Sequence, residues 1–230
     1  RITGDLNDFW VGRDYLEKID RVKAATLMAH AFNDWNVMPE HSVRIYEALR
    51  ERGVPAQIYF HQGGHGGEPP LELMNRWFTR YLYGVENGVE DDPRSWVVRE
   101  DDDRMEPTPY PDYPHPEAVP VRFRPVAGGD EVGALRTGRV GSQGVESLID
   151  DVAFGGDELA QAGRSEHRLL YATEPLAKPL HLSGTPRVRL VVGASKPAVN
   201  LSVWLVSLPW EGDPASVITR GWADPQNYRS

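Results

Sequence analysis

Apolar and polar positions follow two periods between residue 1 and about residue 90. The segment Lys23 to Ala31 holds Ala24-Ala25-Thr26-Leu27-Met28-Ala29, a run with no charged position. Such a run predicts a buried strand of the parallel type. Pro39 then stands where a helix can open, because the first turn does not use the N–H that proline lacks. Val43, Tyr46 and Leu49, with Ile45 and Ala48 beside them, form an apolar stripe, while Arg44, Glu47, Arg50 and Glu51 face water. Gly53 is placed to cap this helix. Ile58-Tyr59-Phe60 predicts a second short strand over 55–60. The loop His61-Gln62-Gly63-Gly64-His65-Gly66-Gly67 follows it. Pro69-Pro70 opens another helix, with Leu73, Met74, Trp77, Phe78 and Tyr81 on its apolar side and Gly84 at its end. Strand, loop and helix thus occur twice, which predicts two αβ units of an α/β sheet.

The pattern changes from about residue 91. Glu100-Asp101-Asp102-Asp103 is followed by prolines at 107, 109, 111, 114, 116 and 120. Proline at that density excludes helix and central strand, so 91–120 is expected to be an extended, acidic connector. Short β-type runs follow at Val121–Arg124, Leu169–Tyr171, Arg187–Val192, Leu201–Leu208 and Val217–Thr219, punctuated by Gly and Pro. They predict an all-β sandwich of jelly-roll type over 121–230, itself expected to be truncated. The polar, glycine-rich stretch 138–168 is expected to be mainly loop, and no internal repeat is present.

Composition narrows the function classes. The 230 residues are 40% hydrophobic, enough for one large core or two modest ones. A net charge of −9 argues against nucleic acid and against an anionic membrane surface as partners. No apolar run approaches the ~18 residues of a membrane span. With no cysteine, disulfides and cysteine-based zinc sites are excluded. Arg1-Ile2-Thr3-Gly4-Asp5 is not a signal peptide, and truncation at both ends is expected. The compartment and the oligomeric state, a homo-oligomer included, stay open.

In open α/β sheets, functional residues gather at the carboxyl ends of strands. The first strand runs into His30-Ala31-Phe32-Asn33-Asp34-Trp35-Asn36, and the second into the glycine loop that holds His65. The separation of Asp34 and His65 is about one αβ unit, so the two can meet above the sheet. A carboxylate that accepts from one imidazole nitrogen fixes the tautomer and stabilises the imidazolium, leaving the other nitrogen to take a proton from a hydroxyl. Spacing alone leaves Asp34 open as a turn or cap residue and His65 as a surface-loop histidine. The glycines beside His65 are expected to keep its ring unobstructed. His61 and His65 have the i, i+4 spacing of a helical zinc pair, but Gly63-Gly64 between them opposes a helix and no third ligand stands out. Asp101–Asp103 fits a solvated charge cluster better than a glycosidase carboxylate pair.

A serine nucleophile is missing from the expected place. In α/β hydrolases the chain order is serine, acid, histidine, with the serine on a G-x-S-x-G elbow. The first serine here is Ser42, after the acid. Ser142 has Gly144 after it but Val140 before it; Ser195 has Gly193 before it but Pro197 after it. If Asp34 and His65 belong to a triad, its serine lies upstream of this chain.

Several strings resemble the Xaa-Pro dipeptidyl-peptidase family of serine peptidases. They are Gly4-Asp5 through Phe9-Trp10, Arg13-Asp14-Tyr15, Ala29 to Val37, and His61-Gln62-Gly63-Gly64-His65. At the acid loop the family reads histidine, glycine, leucine, asparagine, aspartate, tryptophan, asparagine, valine; this chain has Ala31-Phe32 in place of glycine-leucine. Leu182-Ser183-Gly184-Thr185-Pro186 and Thr219-Arg220-Gly221-Trp222-Ala223-Asp224 resemble the family's C-terminal β-domain, a likeness shared with related acylases and esterases. The resemblance implies the last part of an α/β-hydrolase domain over 1–90, with Asp34 as triad acid and His65 as general base. Trp35, Asn36 and Val37 are expected at the substrate pocket, Trp35 and Val37 being open also to a packing role. It implies release of N-terminal Xaa-Pro dipeptides from a proline-containing peptide through an acyl-enzyme, without metal or organic cofactor. A cocaine-esterase-like or acylase-like hydrolase is the nearest alternative. A carbohydrate- or partner-binding β-sandwich is the alternative from another class.

Overall fold

The computed structural model describes residues 7–212 and 215–225. Gly4 and Asp5, which carry part of the resemblance, lie outside the described residues. The chain opens with a one-turn helix α1 (Asp8–Val11), capped by the Asn7 side chain, which accepts from the Phe9 N–H, and with a 3-10 segment at Tyr15–Arg21. Strand β1 (Thr26–Ala31), helix α2 (Glu40–Glu51), strand β2 (Ala56–His61) and helix α3 (Leu71–Tyr83) then give the two αβ units in the expected order.

Helix α2 follows its sequence pattern closely. Pro39 is its N-cap, and Val43, Tyr46 and Leu49 are buried while Arg44 and Glu47 are exposed. At its end Gly53 takes a φ of 70°. Its N–H donates to the Arg50 carbonyl and the Val54 N–H to the Leu49 carbonyl, a Schellman closure that only a left-handed residue permits. The stripe packs with Ile58 and Phe60 of β2 and with Tyr113 into one core, and Phe32 stacks on Phe60 at 4.6 Å between ring centroids. Burying each of these large side chains contributes roughly 1.5–3 kcal/mol.

Helix α3 departs from expectation. Trp77 alone is buried, and Phe78, expected on the apolar side, is 47% exposed. The helix ends on Gly84 at a φ of 72°.

Strands β3 (Ser95–Val97) and β4 (Thr108–Tyr110) join β1 and β2 in one four-stranded sheet of order β1-β2-β3-β4. The first two pairings are parallel and the third antiparallel. The segment expected as a free connector therefore supplies two strands to the first sheet. Its proline-bearing strand, β4, sits at the edge, where Pro109 leaves no inner ladder bond unmade. Strand β2, flanked on both sides, is buried at all six positions, whereas β1 forms the opposite edge and is only half-buried despite its apolar run. The connector is also pinned to α2. The Tyr46 hydroxyl donates to Asp112, and Arg50 reaches the same carboxylate at 2.8 Å. Burial, reinforced by Asp112, pushes the Tyr46 hydroxyl well above the ordinary tyrosine range, so it remains a donor.

The second region holds β5 (Arg124–Val126), β6 (Val132–Arg136), α4 (Gly156–Gln161), β7 (Leu170–Ala172), β8 (Leu201–Val206) and β9 (Val217–Ala223). Strands β5, β6 and β7 make a three-stranded mixed sheet, and β8 pairs antiparallel with β9. Among the described residues this is a β domain of two small sheets. The run 187–192, expected as a strand, forms no ladder: Val188, Leu190, Val191 and Val192 are all exposed, and among the described residues no strand pairs with them. A β-type composition makes a strand only where a neighbour takes up its backbone groups. The stretch 138–168, expected to be mainly loop, is so apart from the short helix α4. Side-chain hydrogen bonds tie the β domain to the connector and the acid loop, among them that of the Tyr113 hydroxyl to the Gly184 carbonyl at 3.4 Å. The His115 N–H donates to Ser183 Oγ at 2.8 Å, and Thr219 Oγ1 donates to the Phe32 carbonyl at 3.2 Å.

Candidate active site

The carboxyl ends of β1 and β2 lie side by side, because the parallel register pairs His30 with Phe60 and Ala31 with His61. The chain beyond each end turns over the same edge of the sheet. Asn33, 2% exposed, donates through Nδ2 to the Gln62 carbonyl at 3.0 Å and so joins the two loops. Asp34 follows, 4% exposed. Its Oδ1 accepts from the Asn36 and Val37 amides at 2.9 and 3.0 Å, and its Oδ2 lies 2.9 Å from His65 Nδ1. Burial opposes the charge on Asp34. The Val37 amide, the His65 ring and the Asn36 amide together outweigh it and hold the carboxyl below its ordinary range.

A carboxylate can only accept, so the His65 proton sits on Nδ1 and Nε2 carries a lone pair. The His65 side chain is 58% exposed. An oriented imidazole with a free basic nitrogen, braced by a buried carboxylate, can take a proton from a hydroxyl and return it to a leaving group. The departure Ala31-Phe32 leaves this pairing intact: Ala31 is buried at the end of β1 and Phe32 turns into the core.

The glycines of the second loop serve a different histidine from the one expected. His61 is 4% exposed. Its Nδ1 accepts from the Gly63 amide at 3.1 Å, and its Nε2 therefore carries the proton toward the Gly66 carbonyl at 2.9 Å. A Cβ at Gly67, whose φ is 111°, would stand 2.4 Å from His61 Nε2, and one at Gly63 would stand 2.9 Å from Nδ1. The loop wraps the buried His61 ring, and His65 projects from it. Burial lowers the His61 pKa and favours the neutral ring. With both its nitrogens engaged by backbone, His61 has none free to share a ligand with His65.

A cleft of about 360 Å³ runs beside His65, lined by the loop 61–67 and, opposite, by Val98, Arg99, Asp101, Asp102 and Arg104. The acidic run thus comes to one wall of the site, which its place in a proline-rich connector did not reveal. Trp35, Asn36 and Val37 are exposed beside Asp34, Trp35 at 67%, and none of them lines this cleft. Sequence reasoning assigned no role to His30 or Ser42. His30 Nε2 lies 3.2 Å from Asp34 Oδ2, and Ser42 Oγ lies 2.6 Å from His30 Nδ1. The one available signal was the polar residue closing an apolar strand four positions before the acid.

Two strands of a parallel sheet that present an aspartate and a histidine at adjacent tips, followed by a β domain, define the C-terminal end of an α/β hydrolase. Known proteins agree and specify it. The family model described as X-Pro dipeptidyl-peptidase (S15 family) matches residues 1–67, and that of the X-Pro dipeptidyl-peptidase C-terminal non-catalytic domain matches residues 87–230. The chain belongs to this family of serine peptidases. It is 58% identical, over its whole length, to a protein of Rhodopirellula baltica named "Putative Xaa-Pro dipeptidyl-peptidase". A Bacillus anthracis protein of the same name is 35% identical, again over the whole chain. The Xaa-Pro dipeptidyl-peptidase of Lactobacillus delbrueckii subsp. lactis is 30% identical over 90% of the chain. The chain spans 38% of the length of the first two relatives and 28% of the third.

Proposed function

We propose that this chain is the C-terminal part of a serine exopeptidase that removes Xaa-Pro dipeptides from peptide N-termini. Asp34 is the acid and His65 the general base of its triad, and the serine is supplied by sequence upstream. His65 Nε2 takes the serine hydroxyl proton as the oxygen attacks the carbonyl carbon of the proline residue. The imidazolium, held by Asp34, then gives that proton to the leaving amine as the peptide bond breaks. Water attacks the acyl-enzyme by the same route, releasing the dipeptide and restoring the serine. The mechanism calls for no metal or organic cofactor. Trp35, exposed beside the acid, supplies with Asn36 and Val37 part of the wall that receives the substrate. Residues 1–90 belong to the catalytic domain, the connector 91–120 completes its sheet with β3 and β4 before leading out of it, and 121–230 are the portion of a jelly-roll sandwich present here.

The observation that carries this reading is the 2.9 Å contact between His65 Nδ1 and a buried, hydrogen-bonded Asp34. It is tested on the complete protein with chromogenic Xaa-Pro dipeptide substrates. The expected result is dipeptide release that falls roughly 10⁴-fold or more in His65→Ala and in Asp34→Ala. Ester or acyl-amide hydrolysis without dipeptide release would replace the peptidase reading with an esterase or acylase one. Wild-type turnover in either variant would remove that residue from the triad. The 230-residue chain by itself is expected to hydrolyse none of these substrates.

A further inference from the structure

Asp34 faces two imidazoles, and the hydrolytic steps use only one. The other, His30, occupies the penultimate position of β1 with its side chain 9% exposed. Its Nε2 lies 2.9 Å from the Val37 carbonyl oxygen and 3.2 Å from Asp34 Oδ2. Both neighbours can only accept, so the proton is on Nε2 and is shared between them. The opposite nitrogen, Nδ1, then accepts from Ser42 Oγ at 2.6 Å; Ser42 is 5% exposed, in the first turn of α2. A single ring thereby joins the strand, the acid loop and the following helix. It touches the same carboxylate oxygen that accepts from His65.

Four groups surround the Asp34 carboxylate. The Asn36 and Val37 amides hold Oδ1, and His65 and His30 approach Oδ2 from two elements. His30 bears on the carboxylate in two ways. It restricts rotation of the carboxylate plane, and it draws charge from the oxygen that His65 uses, which moderates the pull on an imidazolium. Resting on the reading of Asp34 and His65 as acid and base, we propose that His30 is a positioning residue for that pair. Its Nε2–H sets the direction and strength of the Asp34 acceptor, and Ser42 holds the His30 ring in the required tautomer.

The test compares His30→Ala, His30→Gln, Ser42→Ala and His65→Ala in the complete protein, with Ala-Pro-p-nitroanilide as substrate across pH 5–9. Folding of each variant is checked by circular dichroism. Charged and titratable groups beside the pair include His61, Arg99, Asp101, Asp102 and Arg104 around the cleft; Glu40 and His41 share the first turn of α2 with Ser42, and no variant changes any of them. His30→Ala is expected to lower kcat roughly tenfold or more while KM stays within about twofold. It is also expected to move the acid limb of the kcat/KM profile to higher pH, because the carboxylate left with fewer donors binds the imidazolium more tightly. The Gln side chain can place an N–H near the position of Nε2, so His30→Gln is expected to restore most of kcat and to return the limb. Ser42→Ala is expected to move the limb in the same direction by less.

An unmoved acid limb in folded His30→Ala overturns the inference, as does a loss of kcat that His30→Gln fails to restore. If His30→Ala does not fold, an unmoved limb in Ser42→Ala overturns it. Wild-type turnover in His65→Ala overturns the reading of the pair and this inference with it. Loss in His65→Ala beside unchanged His30→Ala overturns this inference alone.

Discussion

Asp34 combines burial with a depressed pKa, and the two have opposite effects on charge. Unfolded, its carboxyl titrates near the ordinary 3.8; folded, it titrates lower, because amide and imidazole donors outweigh burial. A depressed carboxyl stabilises the fold above the unfolded value, and that contribution disappears as pH falls through the folded one. The stability gap between the wild-type chain and Asp34→Asn, measured by urea unfolding, is therefore expected to be full at pH 6 and to shrink steadily below pH 4. A gap independent of pH would show that the donors around Asp34 do not favour its ionised form. At this scale the sequence was informative about the pair and silent about its surroundings. Asp34 and His65 were legible because strand ends and an αβ spacing bring them together. Nothing in the string says that His61, rather than His65, is the ring the glycine loop turns inward. His30 is illegible for a related reason: a histidine closing an apolar strand reads the same whether its ring faces solvent or a carboxylate.

Among the elements, α2 was legible nearly residue by residue, since its stripe, its opening proline and its closing glycine all point the same way. Helix α3 and strand β1 were legible in kind but not in burial. How much of Phe78 or of β1 is covered depends on which neighbours stand there, and periodicity does not contain that information. The contact between Tyr46 and Asp112 joins residues 66 apart and could not have been inferred from pattern. Tyr46 is 1% exposed, so removing its acceptor strands a buried hydroxyl. Asp112→Ala is expected to destabilise the chain by about 1–3 kcal/mol. In a double-mutant cycle by urea unfolding, the loss in Tyr46→Phe/Asp112→Ala should be smaller than the sum of the single losses. Additive losses would mean that the two side chains are not coupled.

Across the whole molecule, the β domain is more than an appendage, because Thr219 on β9 donates to the Phe32 carbonyl two residues before the acid. Thr219→Val removes that donor while keeping the shape. In the complete protein it is expected to lower kcat a few-fold without abolishing turnover, an effect read from steady-state kinetics beside the unaltered enzyme. Identical kinetics would show that the β domain leaves the acid loop to hold itself. The division into an α/β part and a β part was legible from the change of pattern near residue 91. The joining of the connector to the first sheet was not, because three-residue strands carry too little periodicity to announce themselves. The run 187–192 failed in the opposite sense, with β composition and no partner.

The position of β1 has a colloidal consequence. Its outer edge is a row of backbone donors and acceptors that no strand takes up among the described residues, along a segment bearing Leu27 and Met28. Such an edge is a template for a second copy of itself. The 230-residue chain handled alone should therefore be limited by crowding. Sedimentation velocity should show self-association growing with concentration. Ala29→Lys, a charge at an exposed position of that strand, should suppress it. For anyone preparing this polypeptide, dilution and a blunted edge would decide whether there is a clear solution to measure at all.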